Sequence, residues 1–427
     1  MNGQHIIVVD LGFGDAGKGA TVDWLCSPDA GLGVTAVVRF NGGAQAAHNV
    51  IADGKHHAFA QFGAGTFSGV PTLLSQHMLV EPIALAGEAR QLAALGVPDP
   101  LSLLRVDGRA LLTTPIHIAA NRAREDARGS SRHGSCGRGI GETASYALEY
   151  DAPTVADCLR PKALRQKLDL LAAHYGPLIA PSEHRYEPIR DLVEMYREFA
   201  AAVRIVDDGE LARLARRGRL IFEGAQGVLL DEWRGFHPHT TWSTVEPRNA
   251  RAMLAGIGAT AYTLGVTRSY LTRHGAGPFP TEDPSLDIPE AHNAFGPYQG
   301  DFRIGHLDLT LLRYAIAACD GIDGFAVTHL DRRTPYAAIG YDTPAGHVHD
   351  LPLGAWQNLP HQQRLTALLT GAEPVLVELP ADRIDWLSRQ LSTPVVLTSD
   401  GPNRADRTPT TAQGADSSVW RASSVPA

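Results

Sequence analysis

The run Ile6-Ile7-Val8-Val9-Asp10-Leu11-Gly12-Phe13-Gly14-Asp15-Ala16-Gly17-Lys18-Gly19 decides how the rest of the chain is read. Its first half is mostly apolar and ends at a glycine, the pattern of a strand buried on both faces of a parallel sheet. Its second half satisfies two patterns at once. Gly12, Gly14 and Gly17 fit the dinucleotide fingerprint G-x-G-x-x-G. Gly12 to Lys18 also fit the phosphate loop G-x-x-x-x-G-K, whose backbone N–H groups and lysine cradle phosphate oxygens. A dinucleotide site wants an acid at the end of the second strand for the ribose hydroxyl. Here that strand ends Val38-Arg39-Phe40-Asn41 with no acid, which counts against a nicotinamide-dependent oxidoreductase. The phosphate reading wins. In the ordinary phosphate loop, a Ser or Thr after the lysine holds magnesium. This chain has Gly19, so Asp15 is the expected magnesium ligand; the alternative is that Asp15 only caps the following helix.

Outward from the loop, a helix is expected from about Ala20 to Leu25 and a second buried strand over Val34 to Phe40. Helical patterns recur at 83–95, 116–128 and 163–174. Strand-like runs recur at Leu220 to Phe222, Gly324 to Val327 and Pro394 to Leu397. Strands alternating with helices over the whole length predict an α/β fold: a large, mostly parallel sheet with a phosphate-loop-like site and helical insertions. The expected organisation is one domain over 1–404 with a helical insertion around 83–215. A tail over 405–427, rich in Ala, Ser, Thr, Pro and Asp, is expected to be flexible.

The composition is that of a water-soluble globular protein. At 427 residues and 44% hydrophobic content, the chain can bury a large core. No run of 18 apolar residues suggests a membrane span, and the N-terminus lacks the basic start of a secretory signal. A cytoplasmic protein is expected. The net charge of −8 and the scattered basic residues argue against a nucleic-acid partner. Cys26, Cys136, Cys158 and Cys319 have neither disulfide-framework nor zinc spacing. Lysine occurs only at 18, 55, 162 and 167, which makes Lys18 inside a glycine loop the more conspicuous.

Further segments stand in a fixed order after the loop. They are Val38-Arg39-Phe40-Asn41-Gly42-Gly43-Ala44-Gln45-Ala46-Ala47-His48, Gly134-Ser135-Cys136-Gly137-Arg138-Gly139-Ile140-Gly141 and Phe222-Glu223-Gly224-Ala225-Gln226-Gly227. Gly275-Ala276-Gly277-Pro278-Phe279-Pro280-Thr281-Glu282, Thr328-His329-Leu330-Asp331 and Ser399-Asp400-Gly401-Pro402 complete the series. Together they resemble the adenylosuccinate synthetase family from about residue 6 to 404.

The resemblance implies a homodimeric ligase with magnesium as cofactor and GTP as co-substrate. GTP phosphorylates the 6-oxygen of IMP, or of a related lactam, and aspartate or another amine then displaces that phosphate. A lactam oxygen is a poor nucleophile until the ring nitrogen loses its proton, so a base must sit beside it. By resemblance Asp15 is that base and a metal ligand, with Ala47 as the second metal ligand. His48 stabilises the transferring phosphoryl group, and Gln226 hydrogen-bonds the purine. The implied GTP site comprises Gly14, Ala16, Gly17, Lys18, Gly19 and Ala20, with His329, Leu330, Asp331, Ser399 and Gly401 around the guanine. Asp331 would accept from the two guanine donors. The implied acceptor site adds Gln45, Ala46, Ala47, Ser135, Cys136, Thr241 and Arg303 to Asp15, Lys18, His48 and Gln226.

Three departures bear on the substrates. The family grips aspartate with a run of arginines, whereas Gly296 to Asp308 offers Arg303 alone and adds Asp301; a dicarboxylate needs paired charge-assisted donors. Tyr150 stands where the family reaches across its dimer with an arginine to the nucleotide 5′-phosphate, for which Arg132 or His133 could compensate. Ser135-Cys136 replaces a pair of phosphate-contacting threonines. A specialised relative with a non-IMP acceptor or a non-aspartate amine fits this pattern. A GTP-binding interaction protein without catalysis is the alternative of another class, and the joint retention of Asp15, His48 and Gln226 speaks against it.

Overall fold

The computed structural model describes residues 4–129, 134–290, 293, 298–332 and 334–410. Ten strands make the central sheet. In chain order they are His5–Asp10 (β1), Val34–Arg39 (β2), Thr72–Leu74 (β3), Leu104–Asp107 (β4), Arg204–Val206 (β5), Arg219–Gly227 (β6), Ala261–Arg268 (β7), Gly324–Thr328 (β8), Val395–Ser399 (β9) and Arg407–Pro409 (β10). Their spatial order is β10-β9-β8-β7-β1-β6-β2-β3-β4-β5. Every neighbouring pair is parallel except β9 and β10. The central strand β1 is buried along its whole length. Its side chains alternate between two cores: Ile6 and Val8 pack on one face of the sheet, Ile7 and Val9 on the other. That two-sided burial explains the unbroken apolar run in the sequence.

The first helix, Lys18–Cys26 (α1), is buried at all nine positions, so it carries no amphipathic stripe. The segment expected as a helical insertion holds Pro82–Ala94 (α2), Pro115–Arg128 (α3), Ile140–Glu149 (α4), Pro161–Ile179 (α5) and Ile189–Ala202 (α6). It is not wholly helical: β4 and β5 from the same segment extend the main sheet in parallel. Both strands are short, three and four residues, below the length at which periodicity is informative. A ribbon of Leu271–His274 against Phe302–Gly305 stands beside the sheet, with Arg273 opposite Arg303 and His274 opposite Phe302.

The tail also differs from expectation. Arg407–Pro409 pairs antiparallel with Val395–Ser399. Arg404 reaches back to Asp23 on α1 through two contacts, Nε to Oδ2 at 2.7 Å and Nη2 to Oδ1 at 2.6 Å. Residues 405–410 are therefore docked, and 411–427 lie outside the described residues.

Because β1, β2 and β6 to β9 run parallel, their C-terminal ends meet along one edge of the sheet, where ligands of open α/β folds bind. The loop after β1 lies in the middle. β8 and β9 carry Thr328 to Asp331 and Ser399 to Gly401 to one side of it. On the other side stand β6 and β2, and residues of the helices α3 and α4 line the same cavity.

Candidate active site

One cavity of about 790 Å³ runs along this edge. The loop after β1 forms its floor, and buried Asp10 shapes that loop. Asp10 Oδ1 accepts from Gly12 N at 2.8 Å, and its Oδ2 accepts from Ala16 N and Lys18 Nζ, each at 2.9 Å. Asp10 was not singled out by the sequence reading, although it stands at the strand end where such an organiser belongs. Lys18 is thus held in place by a buried partner at the cavity wall.

Gly19 has a packing reason. A Cβ there would lie 2.5 Å from the Cβ of His48 and 3.1 Å from its backbone. The hydroxyl of an ordinary phosphate loop has no room, because His48 fills its place. Gly227 is similarly constrained, since its Cβ would meet Gly12 O at 2.1 Å and Gly14 N at 2.3 Å.

Asp15 sits in the left-handed region at φ 59, a conformation that costs a non-glycine residue energy and needs support. Arg268 supplies it by donating from Nε to Asp15 O at 2.6 Å. The Asp15 carboxylate faces the cavity and takes His274 Nε2 at 3.0 Å on Oδ2. Burial alone would push this acid up. The His274 hydrogen bond, with the charges of Arg268 and Lys18, holds it below the usual carboxylate value. A carboxylate ionised in this way can accept a proton or a cation.

His48 Nδ1 lies 2.6 Å from Oε1 of Glu223, which is fully buried and whose Oε2 accepts from Ala64 N at 3.0 Å. Burial lowers the His48 pKa, while the charge and hydrogen bond of Glu223 oppose that fall. Glu223 therefore fixes both the ring orientation and the proton at Nδ1, leaving Nε2 as the second ring nitrogen. It too escaped the sequence reading, although it stands inside Phe222-Glu223-Gly224-Ala225-Gln226-Gly227. Gln226 follows at the end of β6 with φ 67 and lines the cavity. The Gln45 amide is buried with neither atom partnered among the described residues, and it also lines the cavity.

At the β8 and β9 end, Leu330 N donates to Ser399 O at 3.0 Å and Ser399 Oγ donates to Gly401 O at 2.8 Å, tying the two loops together. Asp331 pairs with Arg332 Nε at 3.0 Å. His329 is held neutral by burial and by Arg268, Arg407 and Arg332 nearby. At the other end, Ser135, Cys136 and Thr241 line the wall, and burial keeps the Cys136 thiol protonated.

The cavity brings together Gly14, Asp15, Gly17, Lys18, Gly19, Ala20, Gln45, Ala46, Ala47, His48, Ser135, Cys136, Gln226, Thr241, His329, Asp331, Ser399 and Gly401. Three expected site residues stand apart. Ala16 is buried beneath the floor, its N–H on Asp10 and its carbonyl accepting from Thr328 Oγ1 at 2.8 Å. Leu330 packs into a core. Arg303 is engaged elsewhere: Nη1 donates to Gly275 O at 3.0 Å and Gly277 O at 2.9 Å, and its fork closes on Glu282. Arg268 and Arg273 line the cavity but are likewise committed. Arg268 binds Tyr270 and Glu290, and Arg273 donates to the carbonyls of Ala276 and Pro278. Arg132 and His133 lie outside the described residues.

A magnesium ion fits this floor. Magnesium takes one or two carboxylates and fills its remaining positions with water and phosphate oxygens. Asp15 is the carboxylate that would hold the ion, and Ala47 lines the same cavity. Bound there, the ion would neutralise charge on a triphosphate.

Fold and floor define a phosphoryl-transferring α/β enzyme: a glycine loop with lysine, an ionised carboxylate and a carboxylate-held histidine share one cavity. The comparisons narrow the class. The adenylosuccinate synthetase family model matches residues 7–407. The adenylosuccinate synthetase of Neisseria gonorrhoeae is 32% identical over 94% of this chain and 98% of its own, and that of Neisseria meningitidis serogroup B is equally similar. The fully ligated adenylosuccinate synthetase of Plasmodium falciparum superposes with a TM-score of 0.79 at 22% identity, covering 96% of this chain and all of that one. The cyanophage S-2L succinoaminodeoxyadenylate synthetase, bound to dGMP and to dATP as an energy donor, gives 0.63 at 16% identity over 98% and 99% of the chains. This chain belongs to the adenylosuccinate synthetase family, ligases of purine biosynthesis that form a carbon–nitrogen bond with GTP hydrolysis.

Proposed function

We propose that this protein activates a lactam oxygen with GTP and then joins the activated carbon to an amine other than aspartate. Asp15 takes the proton from the lactam nitrogen, and the oxygen attacks the γ-phosphorus as GDP leaves. His48 and Lys18 stabilise charge on the transferring group. Gln226 and Gln45 orient the acceptor ring. The amine nitrogen then bonds to the carbon, the carbon–oxygen bond breaks with phosphate as the leaving group, and the surplus amine proton passes to phosphate or solvent. Bound magnesium, held by Asp15 and the Ala47 carbonyl, supplies charge neutralisation on the triphosphate. The working protein is a cytoplasmic homodimer.

One observation carries the amine assignment. Arg303, the arginine left in the Gly296–Asp308 stretch, is already closed on Glu282 and two backbone carbonyls. Aspartate would need to open that fork, and the cavity arginines Arg268 and Arg273 are already engaged by protein groups among the described residues. A monocarboxylate, neutral or cationic amine makes no such demand. The standard pairing of IMP with aspartate is the second reading, favoured by the 32% identity to the Neisseria enzymes along almost the whole chain. A panel of amines assayed with IMP and other lactams, following GDP release, separates the two. Fastest turnover with IMP and aspartate would end the altered-amine reading.

A further inference from the structure

The end of the cavity away from the guanine loops is walled by α3 and α4, and its charges are arranged in an unusual way for a phosphate site. Among the described residues two arginines of these helices line it, Arg124 and Arg128, and each already has a carboxylate. Arg124 Nε meets Glu142 Oε1 at 3.1 Å, and Arg128 Nη1 is joined to Glu125 Oε1. The carboxylates are the fixed members of both pairs. The Glu142 and Glu125 side chains are 6% and 1% exposed, against 44% and 32% for the arginines. The second oxygen of Glu142, Oε2, is buried with no partner among the described residues. Burial raises the acid of Glu142 while a backbone hydrogen bond and Arg124 draw it back, so the charged form is short of donors. Trp242, 48% exposed, covers the N-terminal turn of α4 at Gly141 and adds an aromatic face.

We propose that this wall is a subsite for a hydrogen-bond donor on the acceptor, a hydroxyl or an ammonium, received by Glu142 Oε2, and that it disfavours a phosphate. A phosphate placed here would lie against a buried carboxylate whose nearest cation among the described residues, Arg124, is already paired with it, and juxtaposed like charges are costly in a desolvated site. A hydroxyl supplies the missing donor and leaves both ion pairs intact. The sheet order gives the subsite its place. The triphosphate loop is central and the guanine loops lie to one side, so the body of the acceptor extends from Asp15 towards α3 and α4. The acceptor is accordingly an unphosphorylated lactam, of which a purine nucleoside is the simplest form. This assignment rests on the ligase reading above.

Calorimetric titration of inosine and of inosine 5′-monophosphate tests it, with the magnesium complex of a non-hydrolysable GTP analogue present throughout. The wild-type protein should bind inosine at least about tenfold more tightly than its monophosphate, as one like-charge contact dictates. Glu142→Gln should erase that preference by strengthening the monophosphate. Glu142→Met, which removes the charge with an apolar stem, replaces it if the amide variant melts below the assay temperature. Preference of the wild type for the monophosphate, an unchanged ratio in the charge-removing variant, or binding of neither ligand overturns the subsite. GDP release with GTP is measured on the same protein. Its absence with every lactam tried would sink the ligase reading while leaving the binding ratio to judge the subsite.

Discussion

At the scale of single residues, the cavity floor is built of pairs in which one member is proposed to do the chemistry and the other fixes it. Asp15 is held by His274 and Arg268, Lys18 by Asp10, and His48 by Glu223. The first members were legible in the sequence because glycine loops and the family resemblance point at them. The second members were not. Glu223 and His274 lie far along the chain from their partners, 175 residues in the case of Glu223, and nothing in a linear pattern announces a contact over that distance. Two outcomes follow for the proposed roles. Asp15→Asn and His48→Ala should each abolish GDP release, with thermal melting within a few degrees of the parent. Glu223→Gln keeps the hydrogen-bonding shape but removes the charge that orients and polarises His48. Turnover should fall roughly 10- to 100-fold, the range for partners behind a functional histidine, with KM for GTP little changed. A rise in KM with kcat intact would place Glu223 in the substrate-binding wall instead.

At the scale of elements, the junction of β1, α1 and the His48–Ala52 strand shows why Gly19 replaces the usual hydroxyl residue. Gly19→Ser would drive its side chain into His48, so it should lower stability by about 1–3 kcal/mol, as overpacking does, and reduce turnover through His48. A gain in GTP turnover would mean that the hydroxyl had recovered an ordinary magnesium site. The helix Leu309–Ala318 carries a pH-dependent cap. Asp308 accepts from Leu311 N at 3.0 Å and from Tyr341 Oη at 2.6 Å, and burial pushes its acid up to about 6 from an ordinary 3.8. The folded protein therefore keeps a proton that the unfolded chain releases at lower pH. Stability from this group is full below pH 3.8 and declines as pH rises through 6. Asp308→Asn keeps a good cap and removes that slope, so in urea denaturation it should compare more favourably with the parent at pH 8 than at pH 5. Equal differences at both values would show that Asp308 does not titrate in this window.

At the scale of the whole molecule, the long apolar strands and the helices next to them were readable, because buried parallel strands and 3.6-residue periodicity leave strong marks. The short strands Thr72–Leu74, Leu104–Asp107 and Arg204–Val206 were not, since three or four residues acquire their conformation from the sheet they join. Ala261–Arg268 escaped for another reason: its polar Thr263, Thr267 and Arg268 are buried and blur the apolar run. The docking of residues 404–410 was hidden by a polar composition that resembles a flexible tail. Its anchor is an ion pair, and Asp23 is 1% exposed in it. Arg404→Ala should cost about 3 kcal/mol by leaving that buried carboxylate unpaired, read as a lower denaturation midpoint; a loss under 1 kcal/mol would mean that β10 holds the end without it. Across the molecule, the proposed donor and acceptor ends of one cavity would meet at Asp15. The most direct test is GDP release from GTP and magnesium with a lactam acceptor and an amine, for the parent and for Asp15→Asn. The account predicts release that requires the acceptor, is weak with ATP in place of GTP because Asp331 would accept from the two guanine donors, and vanishes in the variant. Release that ignores the acceptor, or persists in Asp15→Asn, would contradict it.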